Sequence, residues 1–146
     1  MLESILVGTD GSDAAGAAVA HAVRLARALG ARLHIVSAYA PVSDRQLGIG
    51  RVQVPTDVQV NLREEVLALL EASQRDAQAA GVSRVETFAR VGDAADAILD
   101  VAEEQGSDLI IVGNKGMTGA TRFLLGSVPQ KVSHHAPCSV MIVRAT

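Results

Sequence analysis

A segment near the carboxyl end of this 146-residue chain has the residue types of an anion cradle: Gly113-Asn114-Lys115-Gly116, nine further residues, then Gly126-Ser127. Glycines let backbone N–H groups approach an anion with no side chain in the way. A helix starting at Ser127 would add unpaired N–H groups and the positive end of its dipole. Lys115 and Arg122 fall in the same stretch, the first as a point charge and the second as a bidentate partner for phosphate. Each residue alone has a plainer explanation: the glycines could serve turns, and Ser127 with Gln130 spells a Ser-x-x-Gln capping box. The convergence of a glycine pair, loop cations and a helix start at the end of one apolar run favours phosphate binding over that alternative.

Asp10 is a second candidate. An acid directly after a first strand can face ribose hydroxyls, an amino group or Mg²⁺, or it can simply close an Asx turn with Gly11 and Ser12. His134, His135 and Cys138 carry metal-ligand chemistry, but adjacent helical residues diverge by about 100° and there is no further cysteine. The expected roles are therefore two imidazoles at the negative end of a helix and a thiol packed as a small apolar group, with no metal site. His21 and His34, within a helix and a strand, are expected to be structural. Phosphoryl-transfer chemistry needs a base or water-positioning group, often with acids for Mg²⁺, and no acid occurs after Asp108. The chain also lacks a Walker Gly-x4-Gly-Lys-Ser/Thr and a Gly-x-Gly-x-x-Gly after its first strand, so fast catalysis and dinucleotide binding are both disfavoured, and no catalytic residue is assigned.

The elements that must position these residues follow from hydrophobic spacing. Ser4 to Thr9 reads as a strand ending in a tight turn at Asp10-Gly11-Ser12, and Asp13 to Leu29 as a helix capped by Ser12 and stopped at Gly30. Arg32 to Ala40 is a second strand, and Pro41 to about Asp57 a long loop. A second helix has Leu62, Val66, Leu69, Ser73, Ala77 and Ala80 along one face. Arg84 to Val91 is a third strand, and Ala94, Ala97, Ile98, Val101 and Ala102 mark a third helix. Asp108 to Val112 is apolar enough for a strand covered on both faces at the sheet centre. A helix from Ser127 to His135 and a strand from Ser139 to Arg144 complete the chain. Alternation of this kind predicts right-handed crossovers and a five-stranded parallel sheet with helices on both faces. Ligands of such sheets bind where the winding reverses, beyond the carboxyl ends of the strands, which singles out the turns after the first and fourth strands.

Composition narrows the function. The length suits one domain spanning residues 1–146, and the single cysteine fits a reducing cytoplasm. No apolar run approaches the roughly 20 residues of a membrane span, and no basic, apolar leader opens the chain. A net charge of −3 and only Tyr39, Phe88 and Phe123 as aromatics argue against a nucleic-acid partner. The charge is uneven: residues 113–146 contain Lys115, Arg122, Lys131 and Arg144 and no carboxylate, which suits an anionic ligand there.

Taken together, Val7-Gly8-Thr9-Asp10-Gly11-Ser12, Val112-Gly113-Asn114-Lys115-Gly116, Leu124-Leu125-Gly126-Ser127-Val128 and the run Pro137 to Val143 resemble the universal stress protein family over essentially the whole chain. The spacing Gly-x2-Gly-x9-Gly-Ser is that of its ATP-binding members. The resemblance implies a Rossmann-like, adenine-nucleotide-alpha-hydrolase-like three-layer sandwich that dimerises through its last strand, Ser139 to Arg144. It implies that Gly113, Gly116, Gly126 and Ser127 hold the phosphates and ribose of ATP, with Mg²⁺ held by the phosphates and Lys115 at a variable position. Gly8, Thr9 and Asp10 would lie against the adenosine, Val112 and Val128 would line the pocket, and the backbone of Ala38 would read the adenine edge. Departures are Ser37-Ala38, where the family often has His-Val, and Lys115, where it often has His or Arg. The function so implied is a dimeric stress-response module. Alternatives are a slow ATPase, an AMP- or cyclic-nucleotide-binding member, and a ligand-free dimerisation domain.

Overall fold

The computed structural model describes residues 2–40, 63–114 and 125–144, so the long loop expected after Pro41 lies outside the described residues. Strands and helices alternate: β1 (Ser4–Gly8), α1 (Asp13–Leu29), β2 (Arg32–Tyr39), α2 (Arg63–Ala79), β3 (Val85–Val91), α3 (Ala94–Gln105), β4 (Leu109–Gly113), α4 (Ser127–His135) and β5 (Ser139–Val143). All pairings are parallel and the strand order is β3-β2-β1-β4-β5. The five-stranded α/β architecture is the one expected. The apolar run of β4 is interior but not central; the middle place belongs to β1, which pairs with β2 on one side and β4 on the other.

Side chains of successive strand residues point to opposite faces, and both faces are covered. Ile5, Val7, Leu33, Ile35, Leu109 and Ile111 pack under α1 and α2, whereas Leu6, Val36, Ile110 and Val112 pack under α3 and α4. Each such fully buried aliphatic side chain contributes roughly 1.5–3 kcal/mol relative to exposure. The inner face of α1 is alanine, with Ala14, Ala15, Ala18, Ala22 and Ala26 buried, so this helix sits close to the sheet. Its caps are those expected: Ser12 Oγ accepts the Ala15 N–H, and Gly30 adopts the left-handed conformation at the C-cap.

The face of α2 differs from the expected one. Val66, Leu70 and Ala77 are buried, Leu69 and Ser73 sit at the border, and Ala80 is exposed. The helix lies on the β2–β3 half of the sheet, where β3 and β2 are the elements it contacts, and the strands beneath it select what is covered.

Candidate functional site

The strand order reverses its winding between β1 and β4, and the carboxyl ends of these strands open into a pocket of about 280 Å³. Three helices begin at its rim. Two of them are capped by their own side chains, α1 by Ser12 and α3 by Asp93, whose carboxylate accepts the Asp96 N–H. Helix α4 is not: its N-cap is Gly126, with no side-chain cap hydrogen bond. The capping box spelled by Ser127 and Gln130 is absent, because Ser127 is already the first helical residue and the Gln130 amide donates to the Gly126 carbonyl. Gly126 donates its own N–H to the Asn114 carbonyl, and Pro129 has none. Ser127 and Val128 thus bring the first-turn amides of α4 to the pocket wall, at the positive end of the helix dipole.

The turn after β1 is held by its own residues. Asp10 Oδ1 accepts the Ser12 N–H at 2.9 Å, Thr9 Oγ1 accepts the Gly11 N–H at 3.2 Å, and Gly11 has a φ of +83°, which favours glycine. Asp10 closes this Asx turn and also lines the pocket, so its two sequence readings are compatible. Lys131, one turn into α4, lies 2.8 Å from Asp96 and 3.4 Å from Asp93, joining the start of α3 to α4. Among the described residues no three His, Cys, Asp or Glu side chains gather to hold a metal ion.

Nine of the residues singled out from the sequence line this one pocket: Gly8, Thr9, Asp10, Ala38, Val112, Gly113, Gly126, Ser127 and Val128. Lys115 and Gly116 lie outside the described residues. Sequence reasoning missed the wall supplied by α3, formed by Ala94, Ala97 and Ile98. Their spacing marks them as an ordinary core face, and nothing in it signals that the first turns of α3 overhang the strand ends. Gly113 also gains a role unrelated to anions, since an added Cβ would meet the Ala14 backbone.

Elsewhere, His34 is buried beneath Phe88, whose ring it meets edge-on at 5.6 Å. Its Nε2 approaches Glu86 Oε1 to 3.2 Å without the alignment of a full hydrogen bond. Burial holds its pKa below the ordinary value of 6.5, against the opposing pull of Glu86. Cys138 is half-buried against the α3–α4 cluster, and burial raises its thiol pKa.

A parallel five-stranded sheet in this order, covered by helices on both faces and with a pocket at its switch point, defines the doubly wound α/β class. The sequence places the chain within that class: residues 1–144 match the family model of the universal stress protein family, and the chain belongs to that family. It is 39% identical over 144 residues to a universal stress protein of Thermus aquaticus, covering 99% of this chain and 100% of that one. It is 38% identical over 150 residues to universal stress protein YxiE of Bacillus subtilis, covering 99% and 100%. Among solved structures it is similar to a universal stress protein crystallised in complex with cAMP, with 32% identity, a TM-score of 0.73, and 99% and 98% of the two chains covered.

Proposed function

We propose that this chain is an adenine-nucleotide-binding universal stress protein that takes ATP in the pocket between β1 and β4. The observation that carries this reading is the start of α4, which has no side-chain cap among the described residues and whose Ser127 and Val128 line the pocket. In this reading Gly113, Gly126 and Ser127, with Lys115 and Gly116, hold the phosphates and ribose. Gly8, Thr9 and Asp10 lie against the adenosine, Val112 and Val128 flank it, and the Ala38 backbone reads the base edge. Mg²⁺ would be carried by the phosphates, with the Asp10 carboxylate at the same pocket.

Asp10 is the one carboxylate among the described pocket residues, which favours a binding module over fast phosphoryl chemistry. Bound nucleotide would act by stabilising the conformation, or the dimer, that binds it. Dimerisation is assigned to β5, an edge strand of the sheet in which Ile142 is exposed, pairing antiparallel with its copy over Ser139 to Arg144. The module is placed in the cytoplasm, where Cys138 stays reduced.

A second reading, in which AMP or a cyclic nucleotide is the ligand, is favoured by the similar protein solved with cAMP. Calorimetric titration of the full chain with ATP, AMP, cAMP and GTP separates the two. Preference for ATP supports the first reading and preference for cAMP or AMP the second. Failure of every adenine nucleotide to bind leaves only the paired α/β domain.

A further inference from the structure

We propose that Ile98, seated on Gly8, is the stop that fixes how deeply a base enters this pocket, and therefore which ring substituents the protein admits. The inference rests on the nucleotide reading above and adds the residue that determines selectivity. The pocket lining is of two kinds. The polar lining comes from the start of α4 and the turn after β1, with Ser127, Asp10 and Ser12, and the apolar lining from the strand ends, with Val36, Ala38 and Val112, and from the first turns of α3.

On the α3 side the lining residues are Ala94 and Ala97, which leave room, and Ile98, which takes it. Gly8, at the end of β1, has no side chain to form a floor, and Ile98 supplies one from across the pocket. A Cβ placed on Gly8 would lie 2.5 Å from Ile98 Cδ1 and 3.0 Å from Cγ1, so the side chain fills the volume that residue 8 leaves vacant. Ile98 is 4% exposed and packed with Leu6, Ile110 and Val112, and its β-branched side chain is stiff in a helix. With χ1 so restricted and close-packed neighbours around it, Ile98 presents its Cδ1 methyl to a ligand atom reaching toward Gly8.

One methylene in an apolar pocket discriminates by roughly 10- to 200-fold. The test is calorimetric titration of the full wild-type chain, Ile98→Val and Ile98→Ala with AMP, 2-chloro-AMP, N6-methyl-AMP and 8-bromo-AMP. Ile98→Val removes one methylene and preserves the core, which keeps the test valid should the alanine variant fail to fold. The expected result is an affinity for at least one substituted analogue, relative to AMP, that rises by about tenfold in the variants, with AMP itself changed only a few-fold. Unchanged ratios for every analogue, in variants that still bind AMP, would overturn the role of Ile98 and leave the nucleotide reading standing. Absence of binding of all four, and of ATP, to the wild type would remove both; should ATP alone bind, the same comparison with 2-chloro-ATP, N6-methyl-ATP and 8-bromo-ATP decides the role of Ile98.

Discussion

Gly113, the last residue of β4, and Ala14, in the first turn of α1, are packed so closely that a Cβ on Gly113 would stand 2.7 Å from the Ala14 carbonyl oxygen and 3.0 Å from its carbonyl carbon. The obstacle is backbone, so relief requires moving the helix. Gly113→Ala is expected to destabilise the fold by about 1–3 kcal/mol, seen as a lower urea midpoint at unchanged slope. A midpoint equal to wild type would mean that α1 can slide outward freely.

Gly8 and Ile98 make the corresponding contact on the other face of the sheet. The obstacle here is the end of a side chain, so Gly8→Ala is expected to cost about 1 kcal/mol, less than Gly113→Ala, through overpacking and a displaced Ile98 rotamer. Much of that loss should vanish in an Ile98→Val background, which removes the Cδ1 atom that the new methyl would strike. A double-mutant cycle by chemical denaturation measures this, and additive losses would show that the two sites relax independently.

The uncapped start of α4 leads to changes of opposite sign. Gly126 has φ −63° and ψ 163°, an extended conformation open to any residue. Gly126→Asp would supply both a cap and a negative charge, so the free protein should gain from a few tenths to about 1 kcal/mol. The same carboxylate occupies the amides offered to phosphate and repels it, so ATP binding should be lost. Thermal unfolding and calorimetry on the one variant check both halves; retained ATP affinity would move the phosphates away from α4.

His34 is held neutral by burial, with its pKa below the unfolded value of 6.5. Above pH 6.5 neither state takes up the proton and the residue is silent. As the pH falls below 6.5 the unfolded chain binds the proton first, so stability should fall until the folded-state pKa is passed, with a slope of at most about 1.4 kcal/mol per pH unit. His34→Gln should flatten this limb in urea titrations between pH 7 and 5 and leave the slope above pH 7 unchanged.

Ile142, exposed on the edge strand β5, is the point at which to test assembly. Ile142→Lys should yield a monomer in sedimentation measurements where wild type sediments as a dimer, with the circular dichroism of the fold retained. Equal sedimentation of the two would remove β5 from the interface.

The extent to which all this was legible in the sequence follows from the range of the forces involved. Ser12, Gly30 and the periodicities of α1, α3 and β4 report local preferences, and the elements they predict form within a residue or so of the expected limits. Glycine and serine spacing likewise singled out Gly8, Gly113, Gly126 and Ser127, which line one pocket. Where residues distant in sequence decide the outcome, the local pattern was insufficient. Ser127 reads as a cap, but the cap is Gly126, held through its N–H to the Asn114 carbonyl, and Ser127 is the first helical residue. The buried face of α2 is set by β2 and β3 beneath it, and the place of β4 by its neighbours.

The sequence by itself determined the alternation of strands and helices, which rests on contacts a few residues apart, the parallel sheet that such alternation imposes through its crossovers, and the residue types at two strand ends. Only the tertiary structure decided that Gly113 must be bare to admit Ala14, that Ile98 fills the space over Gly8, and that His34 is buried against Phe88. Those facts arise from surfaces brought together across many tens of residues, where the shape of the neighbour rather than the spacing along the chain sets what fits.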